Sequence, residues 1–63
     1  MPIANIHLLH GREPHLKESL IHAVTATIVD VLKVKPETVR VIIQEFPPEH
    51  WGIAGVSVKE RTK

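Results

Sequence analysis

The sequence contains no cysteine, so disulfides and thiolate metal sites are both closed to it. Aromatic side chains are nearly as scarce, with Phe46 and Trp51 the two present, too few for a surface that stacks nucleic-acid bases. No charge of one sign dominates. Eight basic and seven acidic residues are interspersed and leave a formal charge of +1, so no basic tract is set up to bind nucleic acid. No apolar run approaches the ~20 residues of a membrane span. The residues ahead of Ile3 lack the basic segment that opens a secretory signal. A glycine-rich phosphate loop is missing, as is any Ser/His/Asp or Cys/His set. Histidines 7, 10, 15, 22 and 50 show no metal-ligand spacing and read as surface or core residues. A soluble cytoplasmic protein with neither nucleic-acid nor membrane partners is expected.

What is present is aliphatic. Hydrophobic residues make up 43% of 63 residues, mostly Ile, Val, Leu and Ala on short segments. One domain, residues 1–63, is expected, at a size where a single core is marginal. With disulfides excluded, oligomerisation is the remaining route to stability.

Residues 2–9 read as a strand closed by Gly11, with Ala4, Ile6 and Leu8 on one face and Ile3, Asn5, His7 and Leu9 on the other. Both faces are largely apolar, which predicts burial on both sides. Residues 14–33 read as a helix with Pro14 at its first position. Its apolar stripe is Leu16, Leu20, Val24, Ile28 and Val31, widened by Ile21, Ala23, Thr27 and Leu32; Lys17, Glu18, His22, Thr25 and Asp30 occupy the other side. Pro36 blocks continuation. Residues 38–46 read as a second strand ended by Pro47-Pro48. Residues 50–58 carry the glycine punctuation of a turn and short hairpin, and Lys59–Lys63 read as a frayed tail. The fold class is α/β: a β-α-β protomer with a short C-terminal hairpin. Strand, helix and strand favour parallel pairing with a right-handed crossover. Two strands and one helix leave a sheet face and edges uncovered, so the unit is completed by oligomerisation.

Four residues carry candidate chemistry. Pro2 follows the initiator methionine, and removal of Met1 turns its nitrogen from an amide into a secondary amine able to hold a proton. Arg40 is a charge inside an apolar strand and needs a partner; an interfacial ion pair explains it as readily as a ligand. Arg12, just after the first strand, is either a solvated loop charge or, with Arg40, one of two planar anion binders suited to carboxylates. Trp51 suits packing at a subunit interface or a hydrophobic wall that lowers the pKa of a nearby amine.

Assembled, the motifs Pro2-Ile3-Ala4-Asn5-Ile6-His7, Leu9-His10-Gly11-Arg12, Thr38-Val39-Arg40-Val41-Ile42-Ile43 and His50-Trp51-Gly52-Ile53 resemble the 4-oxalocrotonate tautomerase family, in order and at matching spacing over nearly the whole chain. The resemblance implies protomers paired into dimers that assemble as a homo-hexamer, with sites built from more than one subunit and no cofactor or metal. It implies that Pro2 is the base that moves a proton between atoms of a small carboxylate substrate such as 2-hydroxymuconate. Arg12 matches the arginine that binds the distal carboxylate, and Arg40 the one that engages the 1-carboxylate and 2-oxo group. Leu9, Thr38, Trp51 and Ile53 match pocket-lining positions. Thr38 replaces a serine, and Trp51 replaces a phenylalanine that keeps the site apolar. Relatives that hydrate or dehalogenate 3-haloacrylates share the proline and arginines but carry a water-activating carboxylate where this chain has Ile53. A non-catalytic oligomeric binding protein on the same scaffold is the rival from another class.

Overall fold

Aliphatic, β-branched segments either side of an amphipathic one fold as their periods dictate. In the computed structural model, which describes residues 2–62, they form β1 (Ile3–Leu9), α1 (Pro14–Leu32) and β2 (Arg40–Phe46). β1 and β2 pair in parallel, with Ile3 opposite Arg40 and Leu9 opposite Phe46. The ladder continues past both ends: Arg40 N–H donates to the Pro2 carbonyl at 3.0 Å, and His10 N–H to that of Phe46 at 2.8 Å. A short antiparallel hairpin, β3 (Gly52–Ile53) and β4 (Val56–Ser57), follows, then a helical turn, α2 (Val58–Arg61).

Three boundaries depart from the sequence reading. α1 stops at Leu32 because Lys33 adopts a left-handed conformation, φ 58°, and returns its N–H to the Val29 carbonyl. The second strand starts at Arg40, not residue 38, because Pro36–Thr38 form a 3₁₀ turn. Thr38 Oγ1 locks that turn by donating to the Lys35 carbonyl at 2.7 Å. The tail expected to fray is helical through Arg61, since the Ser57 hydroxyl accepts from Glu60 N–H at 3.2 Å and caps the turn.

α1 covers one face of the sheet. Ala4, Ile6, Leu8, Val41, Ile43 and Glu45 are half-buried, and so are Leu20, Val24 and Ile28 of the helix. The predicted stripe is shorter in the fold than in the sequence: Leu16 is 50% exposed and Val31 67%. Nineteen helical residues span about 28 Å while seven strand residues span about 23 Å, so the helix ends overhang the sheet. The opposite sheet face is open, with Ile3 62% and Ile42 45% exposed. Among the described residues Val39, at 9% exposure, is the most buried hydrophobic side chain, and none is fully buried.

The shape carries the same message. The radius of gyration is 14.9 Å, and the chain extends 45 × 24 × 14 Å. A self-contained domain of this length would have a radius near about 11 Å. The protomer is a thin two-layer slab with apolar residues on its outside.

Candidate active site

The first group of candidate residues gathers where the two parallel strands begin. Pro2 is half-buried, and its carbonyl is tied to the backbone of Arg40 at the head of the neighbouring strand. Arg40 lies on the open face, the one α1 does not cover. Its Nη1 donates to the Glu37 carbonyl at 2.7 Å and the Val39 carbonyl at 3.4 Å. The 3₁₀ turn that shortens the strand presents the first of these carbonyls, and Thr38 sits inside that turn. These bonds use one of the three guanidinium nitrogens. Pro2, Thr38 and Arg40 thus share one end of the sheet.

The second group lies at the other end. Leu9 is half-buried at the close of β1, opposite Phe46. Gly11 then takes φ 130°, a backbone conformation that a side chain would strain, and turns the chain toward Arg12. Arg12 is exposed, with Nη1 donating to the Leu9 carbonyl at 3.3 Å. Trp51 stands edge-on to Phe46, with ring centroids 6.4 Å apart, and Phe46 stands edge-on to His7 at 5.3 Å. His7, Phe46, His50, Trp51 and Gly52 line an open cavity of about 260 Å³. Ile53 follows on β3 with its side chain 46% exposed.

Six steps of about 3.3 Å separate the ends of β1, so roughly 20 Å lies between the two groups. One protomer brings Pro2, Thr38 and Arg40 together, and Leu9, Arg12 and Trp51 together, but does not join the sets. Removal of Met1, on which the Pro2 amine depends, lies outside the described residues. Among the described residues no three His, Cys, Asp or Glu side chains cluster as a metal site would require. No helix among them is long and apolar enough to cross a membrane.

The profile of the Tautomerase family, described as tautomerase enzyme, matches residues 2–61. The chain belongs to the tautomerase family. It is 45% identical over 60 residues to a 2-hydroxymuconate tautomerase of Comamonas testosteroni, covering 95% of each chain. Among solved structures it superposes with a TM-score of 0.93 on TomN, a 4-oxalocrotonate tautomerase homologue in the tomaymycin biosynthetic pathway. That pair shares 43% identity over 97% of this chain and 94% of the other. It also superposes with a TM-score of 0.90 on a heterohexameric 4-oxalocrotonate tautomerase from Chloroflexus aurantiacus J-10-fl, at 38% identity over 95% of this chain and 97% of that one.

This tautomerase also holds a polar cluster that the sequence reading did not pick out. Lys17, assigned to the solvent side of the helix, instead turns toward the sheet, and its Nζ donates to Glu45 Oε1 at 2.9 Å. His10 Nδ1 lies 4.0 Å from the same oxygen. The hydrogen bond from Lys17 holds the Glu45 carboxyl below the ordinary glutamate pKa. Burial pushes the other way, and the charges of Lys17, His10 and Arg12 add to the lowering. The signal was present in the strand alternation: Val41, Ile43 and Glu45 share the helix-covered face, so a carboxylate was bound to need a cation there.

Proposed function

We propose that this tautomerase interconverts enol and keto forms of a small 2-hydroxy-dienoate or 2-oxo-enoate carboxylate, such as 2-hydroxymuconate, with the Pro2 amine as general base. The observation that carries the reading is the pairing of Pro2 with Arg40 across the strand heads, in a chain of this family. The names of the relatives support the substrate class.

In this mechanism Pro2 nitrogen takes the proton from the enol hydroxyl and returns it to a carbon of the conjugated chain. No atom is gained or lost, and no electron acceptor is required. An ordinary terminal amine titrates at about 7.7–8.0, and the secondary amine of proline is intrinsically more basic. A guanidinium close by and the exclusion of water both disfavour its protonated form, which frees the base near neutral pH. Proton transfer by a positioned base contributes on the order of 10²–10⁴ in rate. Arg40 stabilises the negative charge that grows on the 2-oxygen. Arg12 anchors a distal carboxylate through paired N–H donors. Thr38, Leu9, Trp51 and Ile53 wall the pocket.

The gap along β1 between the Pro2 end and the Arg12 end, roughly 20 Å, is closed by a second protomer. A two-fold pairing of edge strands in one continuous sheet runs antiparallel. Pairing β1 with its symmetry mate sets the start of one strand beside the end of the other, and Pro2 beside the partner protomer's copy of the Leu9–Arg12 turn. The exposed face bearing Ile3 and Ile42 then supports stacking of such dimers into a homo-hexamer.

The test compares protein freed of Met1 with a form that keeps an uncleavable N-terminal extension. Both should sediment as a species several times the 7.1 kDa protomer. The processed form should convert 2-hydroxymuconate, followed by its absorbance, and the extended form should not. Equal turnover by the two forms would place the base elsewhere, and no turnover by either would leave the binding-protein reading standing.

A further inference from the structure

Where β1 ends, α1 begins and β2 ends, Lys17 and His10 approach one carboxylate, that of Glu45. Lys17 Nζ holds Glu45 Oε1 at 2.9 Å, with both side chains about three-quarters buried. His10 Nδ1 stands off at 4.0 Å and is itself exposed. Glu45 Oε2 is buried and accepts no hydrogen bond among the described residues. Arg12 emerges from the same turn, held by one long bond of 3.3 Å to the Leu9 carbonyl.

A carboxylate in this setting is costly to leave unpaired. Were Lys17 absent, the side chains left around this carboxylate would be the His10 imidazole and the permanently charged Arg12 guanidinium. The guanidinium presents the planar fork that fits a carboxylate with two bonds, and Glu45 offers one wholly unused oxygen. Glu45 lies opposite Leu8 in the ladder, and Arg12 folds back onto the Leu9 carbonyl, so the guanidinium and the carboxylate share one end of the sheet.

From this geometry we infer that Lys17 is a positioning residue: by occupying Glu45 it keeps Arg12 from folding back onto that carboxylate and leaves it available to the substrate's distal carboxylate. The inference rests on the tautomerase reading above, in which Arg12 is the distal anchor. Lys17 touches neither substrate nor base in this scheme. Its effect on turnover passes through Arg12.

The experiment measures Lys17→Met against two substrates, the dicarboxylate 2-hydroxymuconate and the monocarboxylate enol of an arylpyruvate. Lys17→Met should raise KM for the dicarboxylate roughly fivefold, the upper end for a partly exposed ion pair. Its kcat should hold, and so should both constants for the monocarboxylate, which has no distal group to anchor. Lys17→Arg should behave as wild type. Adding Glu45→Gln to Lys17→Met removes the competing charge and should bring KM back.

A purely structural bridge between α1 and β2 would instead lower turnover of both substrates together and would not be rescued by Glu45→Gln; either result overturns the inference. Should Lys17→Met fail to assemble, Lys17→Gln keeps a neutral donor on Glu45 and must show the same split in smaller degree. An unsplit response there is equally fatal. Wild-type protein inactive on both substrates would sink the tautomerase reading itself. Wild-type activity with a dicarboxylate-selective Arg12→Ala defect but no Lys17 effect would sink this inference alone.

Discussion

The distance between Pro2 and Arg12 within a protomer makes a quantitative prediction about mixed assemblies. Consider Arg12→Ala protein combined in equal amounts with protein whose Pro2 nitrogen is blocked by an N-terminal extension, the two being unfolded and refolded together. In the proposed site, Pro2 comes from one protomer and Arg12 from another. Half of the proline positions then carry a free amine, and half of the arginine positions facing them carry a guanidinium. Random assembly makes about a quarter of all sites intact. The background is low: losing a charge-assisted anchor worth about 1.5–3 kcal/mol cuts kcat/KM roughly 10- to 150-fold. The Arg12→Ala protein alone therefore keeps no more than about a tenth of wild-type activity at low substrate. The co-refolded mixture should recover about a quarter of wild-type kcat/KM per protomer on 2-hydroxymuconate, against about a twentieth or less for the same proteins mixed without exchange. If a single protomer supplied both groups, co-refolding would restore nothing. Activity at the unexchanged level, with mixed assemblies verified by mass, would refute the two-protomer site.

Three further outcomes follow from particular residues. Arg40→Ala should depress kcat roughly 10²–10³-fold on dicarboxylate and monocarboxylate alike, as loss of an oxyanion donor does; steady-state kinetics showing a pure KM effect would contradict that role. Because Lys17 holds the Glu45 pKa below its ordinary value, the stability from ionised Glu45 is complete above that ordinary value and lost as pH falls through the depressed one. The gap between wild-type and Glu45→Gln urea midpoints should thus narrow on acidification from pH 7 to pH 3, and a constant gap would deny the linkage. Ala54 sits at φ 53° in the hairpin turn beside Gly55 at φ 85°. Ala54→Gly should stabilise by on the order of 1 kcal/mol and Gly55→Ala destabilise by a similar amount in denaturant titrations, since nothing crowds a Cβ at Gly55 and backbone strain is the whole effect.

Much of the fold is readable from local pattern alone. The alternation of Ala4, Ile6 and Leu8 against Ile3, Asn5 and His7 divides β1 into two faces, and the structure half-buries the first set and leaves the second exposed; because both faces are largely apolar, the alternation does not say which one the helix covers. Parallel pairing follows from a helix placed between two strands. Local pattern fails where a side chain's own hydrogen bond competes with the ladder. Thr38 is β-branched and reads as strand, yet its hydroxyl finds the Lys35 carbonyl and keeps the turn going. Lys17 fails differently. A helical wheel assigns it to solvent, but a lysine has a long apolar stem and a single charge, and Glu45 across the interface decides where it points. A period of 3.6 in one element carries no information about a lone carboxylate in another.

The site illustrates the same limit at a larger scale. Pro2, Arg12, Arg40 and Trp51 stand out in the sequence as candidates because each residue type is unusual in its place. Their mutual geometry is not legible, because a 63-residue chain with no fully buried side chain among those described cannot enclose a pocket. In the proposed mechanism, the apolar faces left open by the protomer and the gap of roughly 20 Å between its two sets of candidate residues are one problem with one answer. A second protomer laid antiparallel along β1 covers the exposed edge and, by the same symmetry, carries an arginine to each proline. On this reading oligomerisation and catalysis are not separable in so small a chain: the contact that stabilises the fold is the one that completes the site.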